Sequence, residues 1–205
     1  MPDRKAWKDI SKVFGKEGCR MGKVCVFFGT GYEEIEALTV VDLLRRAGID
    51  TQTVSVTGEE SVEGSHGITV KMDSLLENVD FGEVDMIVLP GGMPGTKNLE
   101  ACGPLMEQVD AFYQSGKYIS AICAAPSILG HRGMLKGKKA CSFPGFESHL
   151  EGAEVTKCPA QTDGTIITGR GMGCAVDFGL AIVEKLQGKE QAKALAEKIV
   201  YDHYR

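Results

Sequence analysis

Most of the chain alternates between short apolar runs, which are typical of buried strands, and segments whose apolar residues recur at helical spacing. Residues 24–28 are continuously apolar, as expected for a strand buried on both faces of a parallel sheet. Residues 33–47 predict a helix that ends at Gly48, and residues 51–56 and 85–89 predict two further strands. Strands that alternate with helices are typical of an α/β fold with a doubly wound, mostly parallel sheet and helices on both faces.

The second half of the chain continues this alternation with shorter segments. A strand that ends at Cys123 leads directly into a helix. The strand-like segments 154–158 and 165–168 are predicted to pair through a turn at 161–164. The other predicted elements are a hairpin or edge strand over 67–72, a strand over 139–143, and helices over 103–115, about 175–185 and 189–203.

Residues 1–21 differ from the rest, and we expect a single domain over 22–205 that follows this N-terminal extension. Basic residues outnumber acidic ones in the extension, and Trp7, Ile10, Val13 and Phe14 recur at helical spacing. One interpretation is a short amphipathic docking helix. The other, which we favour, is a disordered upstream extension or an alternative start before Met21.

Composition changes this picture mainly by exclusion. The 205 residues carry a formal net charge of −5, which argues against a general nucleic-acid binder. No apolar run approaches the roughly 20 residues of a membrane span, and the N-terminus lacks the apolar segment of a secretory signal. The sequence therefore predicts a cytoplasmic protein without nucleic-acid or membrane partners.

Cysteine and histidine positions argue against a metal site. The 7 cysteines are scattered without the close pairs of a zinc site, and the 4 histidines are dispersed along the chain. We therefore expect reduced thiols, one of them reactive, and no metal or cofactor.

The turn at Cys123 is the strongest chemical signal. An apolar strand ends at this cysteine and a helix begins directly after it, at residues 124–126. Unpaired N–H groups and the dipole at a helix start favour a thiolate. The alternative is a buried structural cysteine, since a free cysteine also packs as a small hydrophobe.

Two glycine-containing turns strengthen the first interpretation. Gly29-Thr30-Gly31 and Pro90-Gly91-Gly92 each follow a predicted strand, so both should meet Cys123 at the carboxyl edge of the sheet. The N–H groups of Gly91 and Gly92, with that of Ala124, could stabilise an oxyanion beside the sulfur. Because position 34 is glutamate, the first turn does not complete a dinucleotide-binding pattern.

Acidic residues crowd the start of the first predicted helix. Glu36 begins an apolar row with Val40 and Leu43, so a carboxyl group there would be buried, with a raised pKa, and could act as a general acid or base. Glu33 lies one turn away on a similar face, and periodicity alone leaves the choice between the two open.

A cysteine–histidine–acid triad is the rival arrangement. It needs an imidazole near the sulfur, and no histidine adjoins Cys123 in sequence. We expect His131 at the far end of the helix after Cys123, and His149 remains a weak candidate.

These features together resemble the DJ-1/PfpI superfamily, in the branch also labelled ThiJ, over about residues 23–200. The resemblance depends on the order and spacing of five segments: 33–36 (EEIE), 43–49 (LLRRAGI), 88–92 (VLPGG), 121–126 (AICAAP) and 170–173 (RGMG), the last followed by Asp177-Phe178.

The resemblance implies a flavodoxin-like fold, similar to class I glutamine amidotransferases, assembled as a homodimer. It implies that Cys123 is the nucleophilic, easily oxidised cysteine, that Glu36 is the protonated glutamate, and that Gly92 and Ala124 supply backbone donors. The expected pocket lining is Gly91, Phe143, Arg170, Gly171, Met172 and His66.

Some positions depart from relatives. Peptidase-type relatives carry histidine after the cysteine, where this chain has Ala124, and the downstream histidine–glutamate pair of amidotransferases is not recognisable, so protease and glutaminase activities are not expected. Phe143 stands where some close relatives place a histidine, which leaves Glu36 as the main acid/base. The region of His66, expected to reach a partner subunit's site, differs from relatives that supply an arginine.

The resemblance favours a cofactor-independent enzyme that acts on α-oxoaldehydes, a glutathione-independent glyoxalase or deglycase with a stress-protective role. The alternative is a non-catalytic redox sensor or chaperone-like protein that signals through Cys123 oxidation. The ThiJ label links such proteins to thiamine-precursor synthesis, but none of these residues supports that chemistry.

Overall fold

A computed structural model describes residues 22–204, so the predicted extension over 1–21 lies outside the described residues. The strands are β1 (Lys23–Phe28), β2 (Asp50–Ser55), β3 (Ser61–Glu63), β4 (Thr69–Lys71), β5 (Ser74–Leu75), β6 (Val84–Leu89), β7 (Tyr118–Ile122), β8 (Lys139–Ala140), β9 (Glu154–Val155), β10 (Ala160–Asp163) and β11 (Ile166–Gly169). The α-helices are α1 (Glu34–Arg46), α2 (Gly95–Ala101), α3 (Gly103–Ser115), α4 (Pro126–His131), α5 (Ala175–Gln187) and α6 (Lys189–Lys198).

A seven-stranded sheet of order β10-β11-β7-β6-β1-β2-β5 forms the centre of the fold. All neighbouring strands in it are parallel except β10, which runs antiparallel to β11. The predicted α/β class with a mostly parallel sheet is therefore confirmed.

Helices cover both faces of this sheet. Because side chains alternate along a strand, Val26 and Phe28 of β1 pack in the cluster with α1, α5 and α6, whereas Phe27 packs on the opposite face with α3 and α4. The carboxyl ends of β1, β6 and β7 consequently meet at one edge, beside the start of α1.

The prediction of a hairpin or edge strand over 67–72 is confirmed as a hairpin, because this segment contributes β4, which pairs antiparallel with β3 outside the main sheet. Other predicted elements differ in the structure. The predicted strand over 139–143 shortens to β8 and pairs with β9, outside the main sheet.

The predicted pairing of 154–158 with 165–168 is wrong, because the partner of β11 is β10. Asp163 pairs with Ile166, so the turn is shorter than predicted and most of 161–164 belongs to the strand. The last helix ends at Lys198 rather than 203. Beyond it, the hydroxyls of Tyr201 and Tyr204 donate to Asp177 and Glu184 of α5, which directs the chain back onto that helix.

Within residues 22–204, none of the helices combines the length and apolar character needed to cross a bilayer.

Candidate active site

Cys123 occupies a sharp turn between β7 and α4. Its φ of 66° lies in the left-handed region, which non-glycine residues rarely adopt. Two backbone hydrogen bonds hold the turn: the Cys123 N–H donates to the Gly169 carbonyl at 2.9 Å, and the Cys123 carbonyl accepts from the Phe143 N–H at 2.8 Å. A strained residue held from both sides is typical of a functional site.

The loop after β6 passes directly beside this cysteine. A Cβ on Gly91 would overlap the Glu36 carboxylate and lie 2.6 Å from the Cys123 Cβ, so only glycine allows the approach. The same loop is bonded to the start of α1, because the Glu33 N–H donates to the Gly91 carbonyl at 2.9 Å. The structure thus brings together the predicted turns after β1 and β6 and the cysteine after β7.

Glu36 reaches into this meeting point from the first turn of α1, where its side chain is buried. One carboxyl oxygen, Oε2, accepts from the Gly91 N–H at 3.1 Å. Oε1 is buried and has no hydrogen-bond partner among the described residues, whereas the carboxyl group as a whole lies close enough to the Cys123 thiol for a hydrogen bond that lowers its pKa. Glu33 has a different task, since its Oε2 caps α1 by accepting from the Glu36 N–H at 2.6 Å.

The Glu36 carboxylate impedes ionisation of Cys123, whereas the Cys123 thiol, as a hydrogen-bond donor, favours ionisation of Glu36. Burial, with the nearby charge of Glu33, raises the pKa of Glu36 from 4.5 to about 7, against the opposing hydrogen bonds from Cys123 and Gly91. Burial, followed by the charge of Glu36 and the hydrogen bond to it, raises the pKa of the Cys123 thiol well above its ordinary value. The pair therefore loses its first proton near neutral pH and resists losing the second.

This coupling corrects the expectation that the helix start alone favours a thiolate. The N–H groups of Ala124 and Gly92 do lower the pKa of Cys123, but burial and the Glu36 carboxylate have the larger effect. α4 has only six residues, so its dipole contribution is small. A thiolate on Cys123 forms more easily while Glu36 keeps its proton, because the opposing carboxylate charge is then absent.

The backbone donors divide between the two side chains. Gly92 and Ala124 hydrogen-bond to the Cys123 sulfur, whereas the Gly91 N–H binds Glu36. Gly91 therefore positions the acid instead of facing the sulfur.

The remaining predicted lining residues form an outer wall. Phe143 and Met172 are large apolar side chains that remain about half exposed. A Cβ on Gly171 would lie 3.2 Å from the Phe143 ring, so these two loops are in close contact. Arg170 is partly buried, and burial raises the pKa of Cys141 and Cys174, an effect that the charge of Arg170 partly opposes. Arg170 is not among the groups that affect the pKa of Cys123.

His66 lies at Glu34 rather than at Cys123. Its backbone N–H donates to Glu34 Oε1 at 2.6 Å and its Nδ1 lies 2.8 Å from Oε2. Ligand atoms of Glu33, Glu34 and His66 lie within 4.8 Å of one another. The carboxylates are already occupied by the helix cap and by His66 and Ser65, so the arrangement serves packing better than metal ligation.

Neither rival histidine contacts the reactive pair within the described residues. His131 ends α4, as predicted, but its Nε2 lies 3.0 Å from Nδ1 of His149, and its Nδ1 lies 2.7 Å from Glu100 Oε1. Sequence analysis did not connect these three residues, because they lie on three separate segments and no spacing relates them.

Comparison with known proteins shows the family to which the chain belongs. The profile of the DJ-1/PfpI family matches residues 22–185. The chain is 37% identical over 180 residues to Protein DJ-1 homolog B of Arabidopsis thaliana, covering 87% of this chain and 41% of that protein. It thus spans about two-fifths of that relative, and 42% of Protein DJ-1 homolog A from the same plant.

Two further relatives match over most of their own length. Glutathione-independent glyoxalase DJR-1.2 of Caenorhabditis elegans is 30% identical over 168 residues, which cover 82% of this chain and 89% of that protein. The solved structure of oxidised Toxoplasma gondii DJ-1 superposes with a TM-score of 0.85 at 36% identity, covering 89% of this chain and 100% of that one. The family profile and these relatives, together with the flavodoxin-like sheet and the strand-to-helix turn at Cys123, show that the chain belongs to the DJ-1/PfpI family.

Proposed function

We propose that this protein is a cysteine-dependent, glutathione-independent glyoxalase that acts on small α-oxoaldehydes. The observation that carries the proposal is the hydrogen-bonded pair of Cys123 and Glu36, with a first ionisation near neutral pH. A general acid/base is most effective when its pKa lies near the working pH. The similarity to a relative named as a glutathione-independent glyoxalase supports the same reaction.

The first step is addition of the thiol to the aldehyde. Sγ of Cys123 bonds to the aldehyde carbon while its proton passes by way of Glu36 to the carbonyl oxygen, giving a hemithioacetal. The N–H groups of Gly92 and Ala124, which face the sulfur, stabilise the negative charge that develops on that oxygen.

The second step transfers a proton between adjacent carbons. Glu36, as carboxylate, removes the proton from the former aldehyde carbon, which gives an enediol. Glu36 then returns the proton to the neighbouring carbon, and the product is a thioester of Cys123. Water then cleaves the thioester, releasing a 2-hydroxy acid and the free thiol. One substrate carbon is oxidised and the other reduced, so the sequence balances without an external oxidant or reductant.

Redox sensing is a second candidate, carried by the same contacts. A sulfinate on Cys123 would accept hydrogen bonds from Gly92, Ala124 and protonated Glu36, and Cys123 is partly exposed to solvent. The similarity to an oxidised DJ-1 structure fits this role. Peroxide would then modify Cys123 stoichiometrically, with a mass increase that Cys123→Ser abolishes.

Lactate formation from methylglyoxal without glutathione separates the two functions. We expect turnover by wild-type protein and none by Cys123→Ser, whereas Cys158→Ser, which replaces an exposed thiol, stays active. Peroxide modification of Cys123 in a protein that forms no lactate would leave sensing as the function. Equal turnover by wild type and Cys123→Ser would contradict the enzymatic proposal.

We also propose that the protein forms a homodimer. Ile35 and Ile68 are about half exposed, and each lies within two residues of a partner in the Glu34–His66 contact. Exposed apolar side chains of this size are frequent at interfaces. Light scattering should give twice the 22.0 kDa chain mass, and Ile68→Glu should shift the protein toward monomer.

A further inference from the structure

A groove of about 670 Å³ lies along α2 and α4 and the turn at 146–149. Its lining is Met93, Pro94, Thr96, Lys97, Glu100, Ser127, His131, Phe146 and His149. The glyoxalase proposal uses none of these side chains. Glu100, His131 and His149 form a continuous chain of contacts along it.

We infer that His131 and His149 form a binding site for a divalent transition-metal ion, with Zn²⁺ as the best match, and that Glu100 orients His131 within it. The inference is independent of the glyoxalase proposal. It depends on the geometry of the two imidazoles and on the carboxylate behind one of them.

The backbone is built to bring the two rings together. A Cβ on Gly130 would collide with the His149 carbonyl oxygen, so only glycine lets the end of α4 lie against this turn. The ring centroids of His131 and His149 are 5.2 Å apart, with an angle of 76° between the ring planes. Phe146 packs 5.7 Å from His149 on the apolar side of the groove.

The hydrogen bonds determine which nitrogen atoms are available. An imidazole that donates Nδ1–H to a carboxylate has its Nε2 lone pair free. His131, with Nδ1 at 2.7 Å from Glu100, therefore presents that lone pair to His149. Carboxylate–histidine contacts of this kind orient metal-ligating histidines and increase their basicity.

The distance between the two facing nitrogens matches a shared ion. They lie 3.0 Å apart. Two nitrogens that bind one ion at about 2.0–2.1 Å each lie roughly 2.9–3.4 Å apart for bond angles between 90° and the tetrahedral value. Both rings are exposed, and a tilt of each ring would point its lone pair at a shared ion while the distance between the two nitrogens stays the same.

Ion binding also balances chemically. The proton on His149 Nδ1, which is shared with His131, moves to Nε2 of His149. His131 Nε2 and His149 Nδ1 then each offer a lone pair to the ion, and no proton is released. Water in the groove supplies the remaining ligands, since two imidazoles do not complete a tetrahedral shell. Glu100 offsets part of the positive charge, to which Lys97 also contributes.

Isothermal titration calorimetry of the full chain with Zn²⁺ in a non-chelating buffer tests the inference. We expect one ion per chain in the wild type, and a dissociation constant at least tenfold higher in His131→Gln and His149→Gln. Glu100→Gln should weaken binding about tenfold through loss of the orienting contact. Electron paramagnetic resonance of the Cu²⁺ form should show two coordinated nitrogens.

Two variants distinguish this site from the other places where an ion could bind. Cys123→Ser and His66→Ala should bind Zn²⁺ as tightly as wild type, because they alter only the thiol and the Glu34 contact. Thermal unfolding of each variant without metal checks that it is folded. Loss of binding in Cys123→Ser, unchanged binding in His149→Gln, or no binding by wild type at 100 µM Zn²⁺ would each overturn the inference.

Discussion

Glu34 and Glu36 lie two residues apart at the start of α1 and are equally buried, with 2% and 1% of their surface exposed. Glu34 lies near the surface beneath the exposed His66 side chain, whereas Glu36 lies deeper, and the pKa values of their carboxyl groups shift in opposite directions. The pKa of Glu34 falls from 4.5 to about 2, whereas that of Glu36 rises to about 7.

The difference lies in the hydrogen-bond donors that surround each group, together with the greater depth of Glu36. Burial acts on both carboxyls in the same direction and would raise both pKa values. Glu34 accepts bonds from the His66 ring and backbone and from the Ser65 hydroxyl, which outweigh burial. Glu36 has a single backbone donor, a thiol that resists ionisation, and the charge of Glu33 nearby.

Burial therefore does not by itself indicate a catalytic acid. A buried glutamate that accepts several hydrogen bonds stays ionised and stabilises the fold as a structural anion. A buried glutamate with few hydrogen-bond donors keeps its proton up to near neutral pH. The two residues are thus a matched pair in which the function of one carboxyl can be separated from that of the other.

The largest expected effect concerns turnover of methylglyoxal. Glu36→Gln removes the proton carrier and should lower kcat/KM by about 10²- to 10⁴-fold. Glu34→Gln removes a carboxylate of equal burial that does not contact Cys123, and should change kcat/KM by less than about fivefold. Steady-state lactate formation measures both, and comparable losses in the two variants would contradict the distinction.

The second effect concerns stability and has an unusual sign. Glu36 has a folded-state pKa raised from 4.5 to about 7, so its contribution to stability is present below pH 4.5 and is lost as pH rises through 7. A shift of that size corresponds to about 3 kcal/mol. Glu36→Gln should therefore be up to about 3 kcal/mol more stable than wild type at pH 8.

Urea unfolding at pH 5 and pH 8 measures this gain. The difference between Glu36→Gln and wild type should shrink at pH 5, where Glu36 keeps its proton in the folded chain and the pH is only half a unit above the unfolded-state pKa of 4.5. A Glu36→Gln variant that is less stable than wild type at pH 8 would show that the carboxylate is stabilised by contacts the raised pKa does not reflect.

The smallest effect concerns the structural anion. Since the folded-state pKa of Glu34 is lowered, its stabilising contribution is present above pH 4.5 and is lost as pH falls through 2. We expect Glu34→Gln to lose about 2 kcal/mol at pH 6, somewhat less than the shift implies because its partner is exposed.

His66→Ala tests the same contact from the other side. The Glu34 carboxylate raises the pKa of His66, so the contact stabilises most below the ordinary imidazole pKa and weakens as pH rises through the raised value. The loss of stability in His66→Ala should be smaller than that in Glu34→Gln, and larger at pH 6 than at pH 9. A loss that grows with pH would exclude the charged pair.

Prediction from sequence succeeded where a local pattern carries the information. The apolar run of β1, the helix ended near Gly48 and the strand-to-helix turn at Cys123 all appear in the structure. Prediction failed for the pairing of β9, because short polar strands carry little apolar alternation and their partners are chosen by distant contacts.

By itself, the sequence determined the order of strands and helices, the strand-to-helix turn at Cys123 and the presence of glutamates at the start of α1. Periodicity left the choice of glutamate open and the family resemblance pointed to Glu36, but only the tertiary structure supplied the physical reason for its raised pKa and showed where the histidines point. The deciding partners are remote: His66 lies 32 residues from Glu34, and Gly91 lies 55 residues from Glu36. Periodicity places a carboxyl group on a face, but its protonation depends on hydrogen bonds and on burial that other segments of the fold supply.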